Sequence, residues 1–332
     1  MTFKYSNVYL NETATVTGPY EAKGPLGKYF DYSYKDLYFN EVSWEQAESR
    51  SIIDAYNILL KKANKTKYDI DLFISGDLLN QLTASNYAAK NISCPFIGAY
   101  AACASSTLAL TIAANFIESG NINNAICAVS SHNNGSEKQF RYPVEYGGPK
   151  PKTTTFTSSG SAIALISNEK SKIKIESATL GKVIDKGIKD AFNMGGVMAP
   201  AAAETIHRHL SDTGRTVEYY DLILTGDLGV YGKKIFQDYM QKEYNIILKN
   251  YNDTGTMLFD LEKQPVYAGA SGPACAPLVT YSYILNQMKS KKLKRVLLVA
   301  TGALHSLTTV NQKLSIPAIA HAISLEVVKW SI

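Results

Sequence analysis

Apolar residues recur along the chain in short solid runs and in helical stripes, and the two kinds of segment alternate. Residues 6–17 alternate loosely and are rich in β-branched side chains, which predicts a strand. Ser43 with Gln46 three positions later reads as a capping box. The stripe Ala47, Ile52, Ala55, Tyr56 and Leu59 then predicts a helix running to about Lys65. Residues 71–75 predict a buried strand, 80–91 a helix, 96–100 a strand, 104–119 a helix stopped by Gly120, and 124–130 a strand. The order resumes with strands near 173–179, 221–225 and 295–301 and helices near 199–211, 232–244 and 275–289. Alternation of strand and helix at this spacing predicts parallel sheets in an α/β fold. Residues 131–155 follow neither period, yet hold His132, Arg141, Tyr142, Tyr146, Gly147, Gly148, Pro149 and Pro151. Loops of that length are functional or disordered, and the aromatic and proline content favours a binding or dimer-contact segment over an inert excursion.

The pattern also repeats. Asp71-Leu72-Phe73-Ile74-Ser75-Gly76-Asp77-Leu78 returns 150 residues later as Asp221-Leu222-Ile223-Leu224-Thr225-Gly226-Asp227-Leu228, with five of eight positions identical. A small-residue segment with one cysteine follows each copy, at Cys103 and at Cys275, and then an amphipathic stretch and a buried strand. A period near half the chain length implies two similar halves. They are expected at 1–169 and 170–332, with Lys170-Ser171-Lys172 as the seam. Ligand crevices tend to form between such halves.

Composition narrows the picture. The 332 residues are 45% apolar and 19% charged, ordinary for a globular chain able to bury a large core. Net charge is +5 with the basic residues dispersed, apart from a local cluster over 289–295, so nucleic-acid binding is not expected. None of the four cysteines lies in a C-x-x-C pair, so neither a zinc site nor a redox dithiol is indicated. No basic stretch followed by an apolar run opens the chain, which predicts no signal peptide. The uncharged stretch 92–117 is built from Ala, Ser, Thr and Gly with Pro95, and reads as a buried helix in a large core, not a membrane span.

Cys103 leads the candidate chemistry. It follows a strand and precedes a helix, where α/β proteins place their sites. A helix N-terminus favours a thiolate and binds anions. The alternative is a buried cysteine acting as a small apolar residue. His132 follows a core strand and can point to the same crevice. His207 and His209 lie two apart on a predicted helix and face different ways, so they form no pair. His321 reads as structural. Asp227 reads as a turn or helix cap, with contact to a calcium ion as the alternative.

Two similar halves, Cys103 at the strand–helix turn, and Gly269-Ala270-Ser271-Gly272 in the second half resemble the thiolase and ketoacyl-synthase superfamily. That resemblance implies a five-layer αβαβα fold of two duplicated halves, usually dimeric, with an acyl-accepting cysteine where Cys103 stands. A narrower resemblance is to the stage V sporulation protein AD family. It rests on Ser130-Ser131-His132, the run from Glu137 to Gly147, Asn193-Met194-Gly195-Gly196, Thr225-Gly226-Asp227-Leu228-Gly229, Ala300-Thr301-Gly302-Ala303-Leu304, and Ser315-Ile316-Pro317-Ala318. It implies a sporulation protein that binds dipicolinic acid, alone or with calcium, and needs no cofactor. It also implies membrane-embedded partners of the same operon, a peripheral place on the spore inner membrane, uptake of the acid into the developing spore, and release at germination. Read together with that ligand's chemistry, the site is expected at Cys103, Ser131, His132, Arg141, Tyr142, Tyr146, Met194 and His305. Arg141 would clamp a carboxylate, unless it pairs with Glu137 or Glu145, and the tyrosines would face the ring.

Working thiolases carry a histidine just ahead of the Gly-x-Ser-Gly turn. Here that place falls on Val266 or its neighbours, and no histidine lies between His209 and His305. A non-catalytic binder is therefore expected. The alternative is an active acyltransferase with Cys103 as nucleophile and His305 or His132 as base.

Overall fold

A computed structural model of the chain describes residues 1–140 and 148–328. In the first half, strands β1 (Tyr9–Thr17), β2 (Leu72–Gly76), β3 (Phe96–Gly98), β4 (Asn124–Ser131) and β5 (Gly160–Ser167) lie in the order β3-β2-β4-β5-β1. In the second, β6 (Ile173–Leu180), β7 (Leu222–Thr225), β8 (Tyr251–Asp253), β9 (Arg295–Ala303) and β10 (Ala318–Val327) lie as β8-β7-β9-β10-β6. The two orders are the same permutation. β1 and β6 meet antiparallel through Tyr9↔Lys174 and Leu10↔Ile173, joining the sheets at one edge.

Each sheet is mixed, not parallel throughout as the spacing predicts. β3, β2 and β4 run parallel, as do β8, β7 and β9, but β5 and β10 return antiparallel beside β4 and β9. The sequence pattern does not mark β5 or β10. Both are buried on both faces over most of their length, so they show no alternation.

The helices complete a five-layer αβαβα stack. α1 (Trp44–Ala63) and α2 (Thr83–Ala89) cover the outer face of the first sheet, burying Ala47, Ile52, Ala55 and Leu59 with Phe73 and Ile126. α5 (Met194–Thr213) and α6 (Gly229–Tyr244) cover the second. They cross closely because Gly232 meets Gly195, where an added Cβ would lie 2.6 Å from the Gly195 Cα. Between the sheets lie α3 (Ser105–Glu118) and the helical run 275–289, packed in one core with residues of both halves. α1 begins at Ser43, whose hydroxyl accepts the Gln46 N–H, and ends at Asn64 in the left-handed region.

The repeated octapeptides form the same structure. The Asp71 carboxylate accepts N–H groups of Asn123 and Asn124, and the Asp221 carboxylate those of Lys294 and Arg295. In both halves this ties the strand entry of the motif to the start of the neighbouring strand.

Two local expectations are corrected. The predicted helix over 80–91 begins only at Thr83, after a tight turn with Gln81 and Leu82 at positive φ. Residues 133–140 of the patternless segment form a helix, α4 (Asn133–Phe140). It buries polar and small residues, namely Asn133, Gly135, Ser136 and Glu137, so no apolar stripe announces it.

Candidate ligand site

β3 stops at Gly98 because the chain must turn to enter α3. Ala102 adopts φ 49°, a conformation that costs an alanine roughly 1 kcal/mol. Ser105 holds the turn closed: its hydroxyl donates to the Ala102 carbonyl at 2.7 Å and accepts the Ala101 N–H at 2.9 Å. The result presents Cys103 at the N-terminal end of α3 with part of its surface open. The end of β9 comes against this elbow at Gly302, where a Cβ would lie 2.2 Å from the Ala101 carbonyl oxygen. Only glycine permits that approach.

The Cys103 thiol meets a carboxylate. That carboxylate belongs to Asp227, in the second octapeptide. Burial, then the Asp227 charge, pushes the thiol well above its ordinary pKa. Asp227 is itself buried and pushed up to about 7, chiefly by desolvation and further by Asp253. Opposing that shift, the Cys103 thiol favours the Asp227 carboxylate, which accepts hydrogen bonds from the Thr301 hydroxyl at 2.8 Å and the Gly272 N–H at 3.1 Å.

The expectation that Asp227 caps a helix is not met. That task falls to Asp253, which accepts the N–H groups of Leu228 and Gly229 at the start of α6. Asp77, the counterpart of Asp227, does act locally, accepting from Leu79 and Ser85. The two copies of one motif have diverged in use, and the second turns its aspartate toward the first half's cysteine.

Cys103 and Asp227 lie in a cavity between the halves with about 70 Å³ open to the centres of water-sized molecules. The first half contributes Leu78, Tyr100, Ala102, Cys103, Ser136, Glu137, Phe140, Thr155 and Thr157. The second contributes Met194, Met198, Asp227, Ser271, Gly272, Ala303 and His305. A short parallel pairing, Phe156 with Ala270 and Thr157 with Ser271, fastens the two walls together. Outside it lies a wider chamber of about 400 Å³ over residues 78–82 and 305–308, sharing Leu78, Tyr100, Phe140 and His305 with the inner one.

Of the residues expected at the site, Cys103, Met194 and His305 share this cavity. Arg141, Tyr142 and Tyr146 lie outside the described residues. Ser131 stands behind the wall, its hydroxyl donating to the Ser158 carbonyl at 2.7 Å and packed against Gly272. His132 does not line the cavity. It is buried, its Nε2 is 2.8 Å from the Leu37 carbonyl oxygen, and burial pushes it down to about 4, so it stays neutral. The His305 ring lies 5.3 Å from that of Phe140. His209 is held by Thr179 and Tyr220, and His321 accepts the Gly181 N–H. The pattern of residues did not mark Ser136, Glu137, Met198 or Asp227 for this cavity. Alignment of the two octapeptides was the available signal for Asp227.

Residues 1–326 match the family described as Stage V sporulation protein AD. The chain is 46% identical over 319 residues to Stage V sporulation protein AD of Bacillus subtilis (strain 168), covering 96% of this chain and 94% of that protein. Among solved structures, 3-oxoacyl-[acyl-carrier-protein] synthase III from Aquifex aeolicus VF5 is similar with a TM-score of 0.59 at 14% identity, over 96% of this chain and 99% of that one. Cerulenin-bound OleA from Xanthomonas campestris is similar with a TM-score of 0.61 at 16% identity, over 97% and 98%. At these identities the likeness to the two solved proteins is one of fold, and that fold is thiolase-like.

Proposed function

Because this chain belongs to the Stage V sporulation protein AD family and so has a role in sporulation, we propose that its crevice between the halves binds dipicolinic acid, free or as the calcium chelate, without covalent catalysis. The observation that carries the non-catalytic part is the Cys103–Asp227 contact. Acyl transfer by cysteine needs a thiolate, and a base or cation to produce it. Here the thiol's partner is a carboxylate that opposes its ionisation. A protonated thiol and a carboxyl pushed up to about 7 give the floor of the cavity less negative charge near neutral pH than an ordinary aspartate would. Glu137, the other acid of the lining, is paired with Lys150 at 2.8 Å.

The lining suits a flat aromatic acid. Leu78, Tyr100, Phe140, Met194 and Met198 offer apolar faces to a ring, and small residues let it approach. Among the described residues no group of three or more His, Cys, Asp or Glu side chains converges to hold a metal ion, so calcium in this reading arrives with the ligand. No helix among the described residues is long and apolar enough to cross a membrane. The proposed place on the spore inner membrane is therefore peripheral, through membrane-embedded partners, with the protein as a homodimer loading the acid in sporulation and releasing it in germination.

Calorimetric titration of the purified protein with dipicolinic acid, with and without calcium, tests this reading. Saturable binding that weakens in Cys103→Ala is expected. No heat at millimolar ligand under either condition removes it. One observation favours the other reading, an acyltransferase: His305 shares the cavity with Cys103. That reading requires Cys103 to become acylated by an acyl thioester, which intact-mass measurement after incubation with acyl-CoAs detects.

A further inference from the structure

Ser136 lies in the second turn of α4, is 4% exposed and lines the inner cavity. Its amide bonds within the helix to the His132 carbonyl at 2.9 Å, but its hydroxyl has no hydrogen-bond partner among the described residues. Asn133, on the same face three residues earlier, is 7% exposed and likewise leaves its side-chain Nδ2 without an acceptor among the described residues. Asn133 is not among the lining residues of the cavity, and Ser136 is. Buried polar groups in folded proteins are nearly always paired, so such an exception calls for a reason.

The two carboxylates among the described lining residues make their hydrogen bonds and ion pair with groups other than Ser136. Asp227 accepts from Thr301 and Gly272, and Glu137 holds Lys150. The Ser136 hydroxyl is thus a buried donor on the cavity wall that neither carboxylate of the described lining engages, and a ligand acceptor can take it. An ionised oxygen is the acceptor that gains most from a neutral donor in a water-poor cavity. We infer that Ser136 is a ligand-anchoring residue whose Oγ–H donates to a carboxylate of the bound acid, in the cavity it shares with Cys103 and Asp227. This inference rests on the carboxylate-binding reading above and adds to it the residue that recognises the carboxylate.

The test pairs affinity with stability. Full-length wild-type and Ser136→Ala proteins are titrated with dipicolinate, and both are melted without ligand. Loss of one hydrogen bond to a charged acceptor weakens binding roughly tenfold to a hundredfold. The unliganded variant should melt no lower than wild type, because it sheds a buried hydroxyl that none of the described residues satisfies. This combination separates anchoring from a structural role. Equal affinity for the two proteins overturns the inference while leaving the binding reading intact. So does a variant whose melting temperature falls, since that marks Ser136 as a support of α4. A wild-type protein that takes up no dipicolinate removes the binding reading and the inference together.

Discussion

The Cys103 thiol stands between opposed influences. The N-terminus of α3 favours the thiolate, an effect worth about 1 kcal/mol at most sites. Burial and the adjacent Asp227 carboxylate oppose it and win, leaving the thiol protonated at neutral pH. Asp227→Asn should therefore raise the alkylation rate of Cys103 by iodoacetamide several-fold near pH 8, read by mass spectrometry. An unchanged rate would show that burial alone controls the thiol. Asp227 also has a signature in stability. Its folded pKa is raised to about 7, above the ordinary aspartate value near 3.9. Between these values the folded state holds a proton that the unfolded chain has lost. Its contribution is complete below the lower value and is lost as pH rises through about 7. The unfolding free energy of wild type relative to Asp227→Asn should thus fall from about pH 4 to pH 7, as denaturant titrations across that range would reveal. A difference that is flat in pH would mean that Asp227 titrates alike folded and unfolded.

At the scale of elements, the elbow before α3 depends on two backbone features. Ala102 holds a left-handed conformation, and Gly302 of β9 touches the elbow's carbonyl. Gly302→Ala should cost 3 kcal/mol or more and disturb the cavity, since at 2.2 Å the clash is with backbone and no rotamer relieves it. Ala102→Gly should leave stability within about 1 kcal/mol of wild type and may be used as its control, because glycine takes the same φ without strain. Thermal melts decide both, and a Gly302→Ala protein as stable as wild type would show that the elbow yields. The same scale explains which elements the residue pattern revealed. α1 was legible from an N-cap and an apolar stripe. β5 and β10 were not, because burial on both faces erases alternation. α4 was not, because it buries Asn133, Ser136 and Glu137 in place of an apolar face.

For the molecule as a whole, the middle helical layer ties the halves into one core. α3 and the run 275–289 pack in a single cluster with residues of both sheets. Residues 1–169 or 170–332 expressed alone should be poorly soluble or lack a cooperative melt, and co-expression should restore both. A cooperative melt from either fragment alone would show that each half carries its own complete core. The duplication, the α/β class and the place of Cys103 at a strand–helix turn were all present in the order of residues, because repeats, hydrophobic periods and strand–helix turns are local. What the local pattern did not contain was the partner of Cys103. Asp227 lies 124 positions along the chain and reads alone as a cap. Only the packing of the halves, with Asp253 taking the cap, turns it toward the thiol. The tertiary structure likewise withdrew His132 into a buried contact with Leu37 and brought Ser136 to the cavity wall. Contacts between residues far apart in sequence depend on how layers stack, and no local period encodes that.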